Sequence, residues 1–219
     1  NKTNGIVETL VLDGESTELQ GRYLSDDELI FTNQKPYVIY GYMAVGDAQN
    51  NGKTLTIQAG AKVHFHANSG LIINPNSSLH INGSLNVEGQ PETEVVLQGD
   101  RLEPDFKNVA GQWGVIWLRQ GSTNNQIQYA TIKNGNIGLL VDGYTDANIP
   151  ILDIQNTQFY NFSQFGIFAR LSNISCKNLV FNNFGMGAFA GTQGGIYDFV
   201  HCTFANYWLG TRSFPTVFL

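Results

Sequence analysis

Apolar residues in this chain come in short groups that fit neither an amphipathic helix nor a long strand. In the first half, LTI (55–57), VHF (63–65), LII (71–73), LHI (79–81), LNV (85–87) and VVL (95–97) each set two apolar positions around one intervening residue, the alternation of a half-buried strand. Leu55 to Leu79 is 24 residues, Val63 to Leu85 is 22 and Leu71 to Val95 is 24, so short strands are expected to recur in threes. Gly60, Gly70, Gly83 and Gly89, with NPNSS at 74–78, separate them as turns.

The second half keeps the period and adds a marker. TIKNGNIGLL (131–140), QFYNFSQFGIF (158–168), VFNNFGMGAF (180–189) and TFANYWLGT (203–211) each run from a large apolar residue to an Asn two positions later and then to a Gly. The apolar anchors Ile132, Phe159, Phe181 and Phe204 are 27, 22 and 23 residues apart, and Asn134, Asn161, Asn183 and Asn206 keep the same intervals. Gly138, Gly166, Gly187 and Gly210 follow, and Ile127, Ile154, Cys176 and Phe199 precede each anchor by five. Such a unit buries its apolar face only by stacking on its neighbours. The expected fold is all-β: a triangular, right-handed parallel β-helix with three short strands per coil of about 22 residues. Asn suits the corners, because its short amide tolerates left-handed backbone and bonds to the Asn one coil away. The Leu-x-x-Leu-x-Leu frame of a leucine-rich repeat is absent.

The stretch GKTLTIQAGAKVHFHANSGLIINPNSSLHINGSLNVEG (52–89), followed by GQWGVIWLRQGSTNNQIQYATIKNGNIGLLV (111–141), resembles the right-handed parallel β-helix repeat proteins exported by Bacteroidota, many of them surface lipoproteins. The resemblance spans roughly residues 37–211. It implies a pectate-lyase-like fold, a place on the extracellular face of the bacterial outer membrane or in the medium, and outer-membrane or cell-surface protein partners. The expected role is a non-catalytic, rigid scaffold or accessory subunit of an outer-membrane assembly. A polysaccharide-binding module is the alternative, and a polysaccharide lyase or glycoside hydrolase the third reading.

Composition narrows the partners. The net charge is −6, with 12 Lys and Arg and no basic cluster, so nucleic acid is not an expected partner. Neutral glycans, held by ring stacking and hydrogen bonds, remain compatible. Long-range attraction of polyuronates is disfavoured unless calcium intervenes. No apolar run reaches the ~20 residues of a membrane-spanning helix, and no cofactor is expected. The chain opens on NKTNG without Met, which reads as a trimmed start, with any lipid anchor upstream.

Residues 1–36 follow neither pattern and are assigned to an N-terminal cap or spacer, ahead of a β-helix over 37–219. The closing NYWLGTRSFPTVFL is apolar, so the solenoid is expected to continue or to be covered by a partner. Cys176 and Cys202 fall three residues out of register on adjacent coils, ~10 Å apart along a strand, and are expected as buried free thiols.

Two outward strips stand out. Tyr129, Asn156, Asn178 and His201 share the position three before the anchor; Lys133, Tyr160, Asn182 and Ala205 share the one after it. Tyr129, Lys133, Tyr160 and His201 are the candidate substrate-binding residues, with Trp113, Trp117, Tyr144, Tyr207 and Trp208 as further aromatics near bends. The loop GDRLEPDFK gathers Asp100, Arg101, Glu103, Asp105 and Lys107 and is the candidate for a lyase-type or calcium role. The Gly-His-Gly and Arg-x-Lys motifs of polygalacturonase-type hydrolases are missing, and no catalytic residue is assigned. His64, His66 and Glu88 form a weak candidate Zn²⁺ set if residues 86–88 lie beneath the histidine pair; His80 maps onto Thr56 in another sheet. Asp142 and Arg170 are expected to face each other as a structural pair. Where loop 98–112 folds decides between two surfaces: over the Lys133–Tyr160–Asn182 strip it makes a cleft, away from it a flat wall.

Overall fold

The computed structural model describes residues 2–3, 6–7, 10–13, 22–47, 49, 51–86, 92–144 and 150–219. They form a parallel β-helix of about seven turns. One sheet runs Leu10–Asp13, Tyr37–Tyr40, Lys62–Phe65, Val95–Gly99, Ala130–Lys133, Gln158–Phe162, Val180–Phe184 and Thr203–Ala205, each strand parallel to the next. A second row includes Tyr42–Val45, Gly70–Ile73, Val115–Leu118 and Leu139–Asp142, and a third Thr54–Gln58, Ser78–Asn82, Asn125–Gln128 and Leu152–Gln155. In the last coils the long strands Phe165–Lys177 and Gly187–Val200 join these two rows, turning the corner through a bulge at Leu171, which has φ 48°.

The inward column explains the stacking. Ile132, Phe159 and Phe181 pair in register and are fully buried, with Phe204 completing the row. Phe159 and Phe181 stack at 5.1 Å and 10° between planes, and Phe181 and Phe204 at 4.8 Å and 4°. A second stack pairs Phe162 with Phe184 at 5.9 Å. In the aromatic stretch FYNFSQFGIFA (159–169), Phe159 and Phe162 therefore belong to the core and Asn161 to the corner between them.

The corner asparagines adopt the left-handed backbone expected of them: Asn134, Asn161 and Asn183 have φ of 70°, 56° and 67°. Asn183 Nδ2 donates to Asn161 Oδ1 at 2.8 Å, one rung of an amide ladder. Asn206 departs from the pattern, since its amide grips the backbone instead: Oδ1 accepts from the N–H of Phe184 and Nδ2 donates to the Phe184 carbonyl, both at 3.0 Å.

The 22–24-residue period of the first half holds for Leu55 and Leu79, which pair directly, but not for the other two spacings. Val63 pairs with Leu97 rather than Leu85, and Leu71 with Ile116 rather than Val95. The LNV segment was expected as a strand, yet Leu85 is 68% exposed. Asn86 Oδ1 there accepts the N–H groups of Thr93 and Glu94 at 2.8 and 3.0 Å, closing a loop. Local alternation fits a strand as well as an exposed apolar residue beside a turn; Gly83 and Ser84 just before Leu85 are the better signal. Gly89 and Glu88 lie outside the described residues.

Within 1–36, Leu10–Asp13, Arg22–Tyr23 and Ile30–Phe31 each pair in parallel with a strand of the following coil and supply its end turn. Leu12, Leu24 and Phe31 are buried, and Phe31 stacks on Tyr37 at 4.1 Å. Glu28 closes this turn by accepting from both Arg22 terminal nitrogens at 2.8 and 2.9 Å and from the Ser25 N–H at 2.9 Å. The Arg22 contact chiefly holds the Glu28 carboxyl down to about 2, from an ordinary 4.5. A depressed carboxylate stabilises the fold above its unfolded pKa and loses that contribution as pH falls through the folded value. Glu28→Gln is therefore expected to lower stability at pH 7 by about 1 kcal/mol, with the difference closing between pH 4.5 and 2; urea melts across pH check it.

The two cysteines are free, as expected, but closer than register implied. Cys176 pairs with Phe199, and the left-handed backbone at His201 (φ 54°) folds the chain back so that Cys202 Sγ lies 3.6 Å from the Cys176 carbonyl oxygen. Cys176 is buried, whereas Cys202 is only half-buried.

Candidate functional site

Alternation along the first sheet turns Ile132, Phe159 and Phe181 into the core, and so turns Lys133, Tyr160 and Asn182 out. These three are cross-strand neighbours in register, Lys133 opposite Tyr160 and Tyr160 opposite Asn182. They floor a groove of about 840 Å³. Lys107 and Asn108 border it from the 98–112 insertion, and Tyr207, Trp208, Leu209 and Gly210 from the C-terminal segment.

Both borders are braced. The insertion contains a 3-10 turn, Pro104–Phe106, with the Arg101 guanidinium 3.9 Å from the centre of the Phe106 ring. Gln112 Nε2 donates to the carbonyls of Phe106 and Val109 at 2.7 and 2.9 Å. The corner residue Asn134 donates to those of Lys107 and Val109 at 3.1 and 2.8 Å, tying the insertion to the sheet beside Lys133. On the other side Asn206 Oδ1 also accepts the Trp208 N–H at 3.2 Å. Gly185 leaves room there: a Cβ on it would stand 2.1 Å from the Ser163 carbonyl oxygen and 3.2 Å from the Trp208 ring.

No carboxylate is among the described residues lining the groove. Burial, and then the neighbouring Lys107, lower the pKa of Lys133; burial, and then Glu94, raise that of Tyr160. The Tyr160 hydroxyl donates to Gln158 Oε1 on its own strand. The surface thus combines ring faces, amides and two ammonium groups.

The other sequence candidates are placed elsewhere. Tyr129 lines a separate depression of about 450 Å³ with Asn86, Glu94, Asn156 and Asn178. Its strip is a second left-handed corner, with φ of 47°, 49°, 54° and 54° at Tyr129, Asn156, Asn178 and His201, and Asn178 Nδ2 donates to Asn156 Oδ1 at 2.7 Å. His201 lines neither cavity. In the insertion, Asp100 Oδ2 is 2.6 Å from His66 Nδ1, Arg101 pairs with Glu103, and Asp105 is exposed.

The register expected beneath the histidine pair is corrected. Gln98, not Asn86, lies beside His64, and Asn86 instead binds the N–H groups of Thr93 and Glu94 ahead of the next strand. His64 is buried rather than at the surface, and burial lowers its pKa. Among the described residues no group of three His, Cys, Asp or Glu is arranged to hold a metal ion. His80 pairs with Thr56 in the third row. Asp142 and Arg170 do face each other, Nη2 to Oδ2 at 2.6 Å, and Trp117 Nε1 donates to the same carboxylate at 2.8 Å.

No protein-family model matches the chain, and no match is found among curated proteins or solved structures. The fold stands on the strand register alone.

Tyr207 and Trp208, expected as aromatics near a bend, border the groove between the corner Asn206 and Gly210 of the fourth repeat. In the second row, Ile72, Trp117, Leu140 and Phe168 form an outward line in register, since their neighbours Leu71, Ile116, Leu139 and Ile167 fill the core.

Proposed function

We propose that this chain is a carbohydrate-binding β-helix that holds a glycan segment in the groove over Lys133, Tyr160 and Asn182 without cleaving it. The observation behind this reading is the combination of an in-register outward row with a braced border on each side. Sugar rings have apolar faces that stack on aromatic rings, and hydroxyls that pair with amides. Tyr160 and Trp208 offer the rings, and Asn108, Asn161, Asn182 and Asn183 the amides. Glycoside hydrolysis calls for a pair of positioned carboxyl groups, and the described lining of the groove has none. Display outside the cell, as the resemblance implies, would bring the groove to such polymers.

A glycan array followed by calorimetry tests this. Trp208→Ala and Tyr160→Ala are each expected to weaken binding about three- to tenfold, the range of one aromatic contact, with melting temperatures close to the parent's. Undiminished binding in both, or no glycan retained, would remove the proposal. A second reading, the scaffold or accessory subunit, is favoured by the half-buried apolar line Trp117, Leu140 and Phe168, which suits a protein neighbour. It requires a stoichiometric partner to co-purify from the native envelope.

A further inference from the structure

Building on the glycan-binding reading, we infer that the insertion end of the groove is an anion subsite, in which Lys107 and Lys133 receive a carboxylate or sulfate carried by one sugar of the bound chain.

The inference begins with charge. The protein carries −6, yet the groove and a second cavity of about 420 Å³ beneath the insertion have no carboxylate among their described lining residues. The two cavities have two residues in common, Lys107 and Lys133, so both lysines line the place where the spaces meet. Arg22, Lys53, Lys62, Arg101 and Arg170 are all in ion pairs with acids. Lys107 and Lys133 are in none among the described residues. Lys133 is partly buried, and the nearby Lys107 adds repulsion, so its charged form lacks compensation until an anion arrives.

The backbones of both lysines are held by neighbouring side chains. Asn134 holds the Lys107 carbonyl at 3.1 Å, and Trp113 Nε1 donates to that of Lys133 at 2.8 Å. Trp113 is itself locked in the core against Phe65 at 4.5 Å. With their backbones held, the two lysines have less freedom to lose on binding, which favours a fixed anionic group over a diffuse counterion. The opposite end, Tyr207 to Gly210, offers rings and no charge. The ligand that matches has its acidic sugar toward the insertion and a neutral ring toward Trp208.

The test uses the full chain and matched probes: a glucuronate-containing oligosaccharide and the same compound with its carboxyls reduced to alcohols, and a sulfated oligosaccharide with its desulfated form. One acidic member is expected to bind at least tenfold more tightly than its neutral counterpart, and which pair shows the preference identifies the anion. Lys107→Met and Lys133→Met are each expected to reduce that preference, the ratio of acidic to neutral affinity, severalfold, and Lys133→Arg to retain most of it. Lys107 is exposed, so its variant reads the subsite even if Lys133→Met fails to fold. Equal binding of acidic and neutral members overturns the anion subsite while the groove reading stands. Binding of none overturns both.

Discussion

Phe181→Ala is expected to cost about 3–5 kcal/mol of unfolding free energy, the range for deleting a buried aromatic ring from a well-packed core. Phe181 has no exposed surface and is stacked on both sides, at 5.1 Å by Phe159 and 4.8 Å by Phe204, with Phe184 at 6.2 Å. Each neighbour lies on a fixed strand or at its end, so the hole cannot close by a local shift. In a solenoid every coil is supported only by those beside it, so the damage falls on the last two turns first. Urea denaturation should show the midpoint fall, and amide exchange should show protection lost in Thr203–Ala205 and Val180–Phe184 before the earlier strands. Phe181→Leu, which keeps most of the volume, should cost under about 2 kcal/mol. A loss below 1 kcal/mol for the Ala variant would mean that the stacks follow from the register and do not hold it.

The parts legible in the sequence are those where one residue type has one physical use. Phe at the anchor and Asn at the corner recur because burial and left-handed backbone admit few alternatives, so four copies sufficed to give strand number, corner and inward face. LNV was misread because two apolar residues around a polar one satisfy a strand locally, whereas pairing is decided a coil away by Leu97. The cysteines were misjudged for a related reason: register measures distance along a straight strand, and His201 bends the chain. For the site, alternation placed Lys133 and Tyr160 side by side facing outward. It could not place the borders of the groove, because Lys107 comes from an insertion and Trp208 from the bend of the fourth copy, whose path no periodicity fixes. Their positions depend on Asn134 and Asn206, two members of the corner series whose amides turn to backbone carbonyls and N–H groups instead of to the ladder.

Asn161→Ala tests whether the corner does more than turn the chain. Asn161 has φ 56°, where a Cβ without a compensating amide is disfavoured by about 1–2 kcal/mol. Its Oδ1 accepts from Asn183 at 2.8 Å, and removing it leaves that donor without its rung, a further loss of about 1 kcal/mol. The Ala variant is therefore expected to be about 2–3 kcal/mol less stable in urea melts. Asn161→Gly separates the two causes, since glycine accepts the left-handed backbone freely but supplies no amide, and it should recover about 1 kcal/mol of the loss. If Gly and Ala are equally damaging, the ladder carries the effect; if Gly matches the parent, the backbone does. Asn161 and Asn183 also line the groove, so the Gly variant, with its fold retained, should bind glycan more weakly than the parent. Weaker binding at intact stability would mean that the corner amides are shared between the architecture and the ligand, and that the residue marking each coil in the sequence also builds the floor of the site.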